Sequence, residues 1–148
     1  MLRALAVIMV ALFANNAFAY YDAPNREAYL GHILCMRAMV LSLDVFLDAC
    51  QPDSDESIRA NIKRSIEIID DFTSETFGIS RESLVPSRAL LNSEFKKLQS
   101  TTGGESFRNF CKNRMSELNS NGILGKASQQ ITKEDLISLS NVTMSACF

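Results

Sequence analysis

The chain has 148 residues, of which 22% are charged, with 15 basic and 17 acidic side chains and a formal charge of −2. A mildly acidic chain without a basic stripe is a poor nucleic-acid binder. Beyond the N-terminus the apolar runs are short and broken by charge, so no membrane span is expected there, and the length suits one domain with a modest core.

Residues 1–19 read as a secretory signal peptide cut after Ala19, leaving a single domain over 20–148. Arg3 supplies the positive n-region, Ala4 to Phe13 the apolar h-region, and Ala17-Phe18-Ala19 the A-x-A cleavage site. The apolar run is half the roughly 20 residues that a spanning helix needs, and no Cys follows the cut to carry a lipid. The short n-region and the Ala-Phe-Ala ending resemble bacterial signals, which implies a periplasmic or secreted protein. Removing Arg3 from 15 basic residues leaves 14 against 17 acidic ones, a formal charge of −3.

Strand patterns are nearly absent, and the spacing predicts an all-α bundle of five helices. The first, from near Asn25 to near Cys50, carries Leu30, Ile33, Leu34, Met36, Met39, Val40, Leu43, Phe46 and Leu47 at helical spacing. It is apolar over so wide an arc that it should be the central element. Arg37, Asp44 and Asp48 within it are expected to share a solvent-facing strip, with the two Asp mildly repulsive at i, i+4.

Asp53 or Ser54 can cap a second helix, in which Ile58, Ile62, Ile66, Ile69 and Phe72 form an apolar stripe before Gly78 stops it. A third helix is expected to follow Pro86 with Leu90, Leu91, Phe95 and Leu98 inward, and Thr101-Thr102-Gly103-Gly104 reads as a turn. A fourth uses Phe107, Phe110, Cys111, Met115 and Leu118 and ends near Gly122. Thr132 and Asp135 resemble a capping box that opens a last helix through Leu136, Leu139 and Val142 to Cys147.

All four cysteines, Cys35, Cys50, Cys111 and Cys147, follow the signal. An even count in a small exported domain reads as two disulfides. Within one helix Cys35 and Cys50 stand roughly 22 Å apart, and a disulfide needs Cα atoms within about 7 Å, so these two do not pair. One joins Cys111 and the other Cys147, and the preferred set is Cys35–Cys111 with Cys50–Cys147. Each bridge is worth roughly 3–5 kcal/mol in the chain-entropy model.

The same pairing takes the cysteines away from metal or nucleophile chemistry. There is no CxxC and His32 is the single histidine, so neither a metal site, a cofactor site nor a Cys–His nucleophile is expected. A lone helical His is most simply a packed or surface residue. Asp53-Ser54-Asp55 lacks the Gly and terminal Glu of a calcium loop, and Gly103-Gly104 lacks the GK[ST] of a phosphate loop. Asn141-Val142-Thr143 matches a glycosylation sequon that matters only in a eukaryotic host. What stands out is the acidity of the second helix. Glu67, Asp70, Asp71 and Glu75 are either a solvated face or a docking face for a basic-surfaced partner, where complementary charge speeds encounter.

Cys35-x14-Cys50-Gln51-Pro52 ahead of an amphipathic helix, with a further Cys near the C-terminus, resembles small periplasmic immunity proteins of secretion-system toxins. The resemblance is architectural and assigns no residue a role; it implies a protein that docks onto and inhibits an enzyme and is not itself an enzyme. Two other expectations stand beside it: a carrier that holds a small apolar ligand between helices, and a cell-wall hydrolase that works through a carboxylate pair.

Overall fold

The computed structural model describes residues 23–51, 55–127 and 129–141, and among them every regular element is helical. The signal peptide with its cut after Ala19, the cap candidates Asp53 and Ser54, most of the sequon and Cys147 lie outside the described residues. Six α-helices follow one another: α1 Ala23–Cys50, α2 Glu56–Phe77, α3 Arg81–Thr102, α4 Gly104–Ser120, α5 Ile123–Ala127 and α6 Lys133–Ser138. A 3-10 turn over Leu139–Asn141 continues α6.

The 28 residues of α1 give an axis of about 42 Å. Pro24 falls in its first turn, where a missing N–H costs nothing. The helix runs out where Gln51 N–H bonds Leu47 C=O at 2.9 Å, and Pro52 comes next in sequence, which disfavours helical backbone at Gln51. As expected from its wide apolar arc, α1 is central: α2, α3, α4 and the 3-10 turn all pack on it.

Two apolar clusters share that axis. Near its N-terminal half, Ile33 meets Ile69, Phe72 and Phe77 of α2 and Leu136 of α6. Toward its C-terminal end, Phe46 and Leu47 meet Ile62 and Leu124, and Phe46 lies edge-on to Phe95 of α3 and Phe110 of α4 with centroids 6.3 and 6.4 Å apart. Edge-to-face pairs of this kind add roughly 0.5–1.5 kcal/mol beyond burial. Val40 packs on both clusters.

The predicted stripe on α2 is realised, with Ile62, Ile69 and Phe72 buried and Ile58 and Ile66 packed against the core. Its cap is Asp55, one residue past the candidates: the carboxylate accepts Ser57 N–H at 2.8 Å. Gly78 closes the helix in the left-handed region, φ 72°, its N–H on Ser74 C=O, a conformation in which Gly carries no side-chain penalty.

Four expectations are corrected. The third helix starts at Arg81, capped by Ser80, and runs straight through Pro86. The proline leaves the Glu82 carbonyl without its helical donor, a cost of roughly 3 kcal/mol in a helix interior. Packing offsets it, because Leu84 is buried to 2% exposure and Ser87 to 8%, whereas Leu90, expected inward, is 41% exposed. The helix count is six among the described residues, since the short α5 fills part of the stretch between Gly122 and Thr132. The capping box of α6 forms as read, with Thr132 N–H on Asp135 Oδ2 at 2.8 Å, but the last helix gives way to 3-10 geometry at Leu139.

The fourth correction concerns the disulfides. Cys50 is bonded to Cys111, with Cα atoms 5.3 Å apart, which overturns the preferred set of Cys35–Cys111 with Cys50–Cys147. The physical reason is the aromatic pair: Phe46 on Phe110 brings the C-terminal end of α1 against α4, so the cysteine one turn beyond Phe46, and not the one three turns before it, meets Cys111. The exclusion of a Cys35–Cys50 bridge holds, because α1 is one helix. Cys35 is not a free thiol.

Candidate functional site

Between the two apolar clusters α1 carries the stripe Ile33, Arg37, Leu41, Asp44, each three or four residues from the last, and all four side chains are buried. Burying a charge is costly unless it is paired and hydrogen-bonded, and both charged members are paired. The Arg37 guanidinium, 6% exposed, forks onto Asp70 of α2 through Nε–Oδ1 at 2.5 Å and Nη2–Oδ2 at 3.2 Å. Its Nη1 donates to Ser87 Oγ of α3 at 2.7 Å, and Ser87 in turn donates to Leu84 C=O at 2.7 Å. One side chain thus ties three helices together with planar, bidentate geometry that Lys could not supply.

The second half of the network extends outward. Asp44, 1% exposed, faces Arg88 of α3, whose Nη2 lies 2.5 Å from Asp44 Oδ2 and 3.3 Å from Asp48 Oδ2. Arg59 of α2 closes the set on Asp48. The Arg88 nitrogen approaches Asp44 Oδ2 off the hydrogen-bond direction, so that oxygen has ion-pair attraction without an aligned donor. Three guanidinium groups and three carboxylates make a neutral set across α1, α2 and α3. The strip of Arg37, Asp44 and Asp48 expected in solvent is therefore inside: only Asp48 reaches the surface, at 38% exposure, because Arg37 and Asp44 share the Ile33–Leu41 stripe.

The four acidic residues singled out on α2 do not behave alike. Asp70 is committed to Arg37, with its side chain 17% exposed. Asp71 pairs with Arg81 of α3, Glu75 with Lys133 of α6 at 2.7 Å, and Glu67 with Arg64 one turn away at 3.2 Å. The last three pairs are half exposed, and such pairs are worth only about 0–1 kcal/mol each, so these carboxylates can exchange partners. His32 is half-buried, its Nδ1 3.4 Å from Leu139 C=O. Among the described residues no group of His, Cys, Asp and Glu is arranged to hold a metal ion.

Tyr29 stands at the other end of α1, edge-on to Phe72 and Phe77, and its hydroxyl donates to Leu136 C=O at 3.0 Å. Burial pushes its phenol pKa up, so the tyrosine stays a neutral donor and pins the C-terminal helix. Arg26 covers the edge of this cluster, 5.6 Å above the Phe77 ring.

An open cleft of about 510 Å³ lies where the end of α1 meets α4. Phe107, Met115 and the Cys50–Cys111 disulfide make it apolar, and Gln51, Arg108 and Lys112 bring polar groups to it. The sequence pattern marks Phe107 and Met115 as core and Cys111 as core and disulfide. The available signal was Arg108 and Lys112 four residues apart, interleaved with Phe107 and Cys111 on the same helix. Compared with protein-family models, with curated proteins and with solved structures, the chain finds no match in any of the three.

Proposed function

We propose that this chain is an exported binding protein, an inhibitor or immunity-type factor that acts by docking onto a partner enzyme in the envelope. The observation that carries the reading is the use to which the polar groups between the helices are put. Arg37, Asp44, Asp70, Ser87 and Arg88 are spent on holding α1, α2 and α3 in register, and Cys50 and Cys111 on a staple. A body so crosslinked presents a fixed surface, and pre-organised surfaces lose little conformational entropy on binding. Export accords with the disulfide, since such bonds persist in oxidising compartments. Among the described residues no helix is long and apolar enough to cross a membrane.

In this proposal Glu67, Asp71 and Glu75 are the exchangeable members of an acidic face on α2, and Asp70 stays with Arg37. The mature chain begins at Tyr20, and by elimination Cys35 pairs with Cys147. The test is capture from envelope extracts of the producing cell with the oxidised mature chain as bait. A single partner at fixed stoichiometry is expected. Its absence, with the bait shown folded by circular dichroism, would overturn the reading.

A further inference from the structure

We propose that the cleft beside the Cys50–Cys111 disulfide docks an acidic segment of the partner protein, one in which an apolar side chain is flanked by carboxylates. This rests on the reading of a binding protein and adds the face it uses and the charge of what it meets. The sequence alone points the other way, to the acidic α2 and a basic partner. The ion pairs neutralise much of that face and single out a second, basic one. Glu67, Asp70, Asp71 and Glu75 each have a cation of their own. By contrast, Lys96, Lys97, Arg108 and Lys112 are exposed and make no ion pair among the described residues.

Those four bases stand on α3 and α4, the helices joined by Gly103 alone. Over residues 94–112 the acids are Glu94 and Glu105 against those four bases, so the local charge is positive in a chain whose total is negative. Arg108 and Lys112, four residues apart on one helix face, both line the cleft, as does Gln99 of α3. Lys96 lies one turn before Gln99 on the same side of α3.

The shape agrees with the charge. The cleft volume of about 510 Å³ lies within the roughly 300–1,000 Å³ of pockets that take a drug-sized ligand, which leaves ample room for one apolar side chain. It is open, however, as suits a side chain delivered by a larger body. Phe107 and Cys111, 6% and 8% exposed, give that side chain a firm apolar floor. Arg108 and Lys112 then meet the flanking carboxylates. Interfaces are commonly organised in this way, with an apolar anchor in a pocket and complementary charge at its rim that sets orientation and on-rate.

The experiment uses the oxidised mature chain, labelled with ¹⁵N, and two dodecapeptides. One is built of Glu with Leu at every fourth position; its twin has Lys in place of Glu. The Glu peptide is expected to shift the amide signals of Gln51, Arg108, Lys112 and Met115 saturably, and the Lys peptide to leave them in place. Charge reversal in R108E/K112E should weaken the Glu peptide about tenfold or more, the factor expected for two rim charges. The neutral R108Q/K112Q serves as a second variant, and both sites are exposed, so the fold persists. Shifts confined to another face, equal binding of the two peptides, or no saturable shift would overturn the proposal.

Failure of the cleft is separable from failure of the wider reading. A partner from envelope extracts that binds R108E/K112E undiminished but is lost by E67K/D71K/E75K leaves a binding protein and removes the cleft. Saturable Glu-peptide binding with no envelope partner removes the binding-protein reading and keeps the chemistry of the cleft.

Discussion

Replacing Arg37 by Met removes the fork that joins three helices and keeps the length of an unbranched side chain. Two hydrogen bonds to the Asp70 carboxylate and one to the Ser87 hydroxyl disappear, all three donated by the guanidinium cation. Charge-assisted bonds contribute about 1.5–3 kcal/mol each, and what remains is a carboxylate 17% exposed without its cation. Breaking a buried pair from one side costs about 3–5 kcal/mol, and we expect R37M near the lower end because Asp70 keeps some access to water. That is a large share of the roughly 5–15 kcal/mol that stabilises a domain.

The double variant R37M/D70L removes both charges and should recover much of the loss, because replacing a buried pair by apolar groups of similar size is often neutral. Urea unfolding of the oxidised chain, followed by circular dichroism at 222 nm, gives the four corners of the cycle, with midpoints compared at constant m. The expected coupling is about 2–3 kcal/mol in favour of the pair. An R37M cost below about 1 kcal/mol, or a double variant as unstable as the sum of the singles, would refute the account of Arg37 as the clamp of the three helices.

Four further outcomes follow from local features. The Cys50–Cys111 bridge spans 61 residues, so C50A/C111A should cost about 4 kcal/mol in the chain-entropy model, measured by the same unfolding curves. Peptide mapping of the oxidised chain should return Cys50 with Cys111 and Cys35 with Cys147. Asp55 accepts bonds from the Ser57 side chain and backbone, which hold its carboxyl below the usual carboxylate range. Its contribution is thus present above the unfolded pKa of about 3.9 and lost as pH falls through the folded value. D55N keeps a capping side chain without the charge, so the Tm advantage of the native chain over D55N should shrink as pH drops from about 5 toward 3. A constant difference over that range would show that the cap is not titrating. Gly103 joins α3 to α4 at φ 77°, ψ 161°, and a Cβ there would touch nothing within 4 Å. G103A should therefore cost about 1–3 kcal/mol from backbone strain alone, and a neutral Tm would contradict that.

What could be read in advance divides by the range of the physics involved. The stripe Ile58–Phe72, the stop at Gly78 and the Thr132–Asp135 box depend on residues three or four apart, and all three form as the spacing says. Arg37 and Asp44 were misplaced because a charge in an apolar stripe looks solvated until its counter-ions on α2 and α3 are known. Their position in the Ile33–Leu41 register was the signal that could have placed them. Pro86 misled for the opposite reason: its local penalty is real, and burial of Leu84 with the Arg37–Ser87 bond outweighs it from outside the helix. Helix geometry excluded Cys35–Cys50, but choosing between the two remaining sets needed the contact of Phe46 with Phe110, which links positions 64 residues apart. The candidate site was legible only in its acidic half, because ion pairing is a tertiary property and leaves Lys96, Lys97, Arg108 and Lys112 without an ion pair among the described residues.

The bridge between Cys50 and Cys111 also decides how the molecule would carry a load. If a partner pulls on α4 while the N-terminus is held, tension passes from α1 through the sulfurs into α4, and the loop that holds α2 and α3 lies off that path. Those helices can lose their packing under force, but they cannot be drawn out straight. With about 3.6 Å of contour per residue, the 61-residue separation hides on the order of 220 Å of extension, which only a reductant releases. A protein that holds a partner by α4 would thus transmit a tug on that partner along its longest helix, with the clamp of Arg37, Asp70 and Ser87 spared the strain.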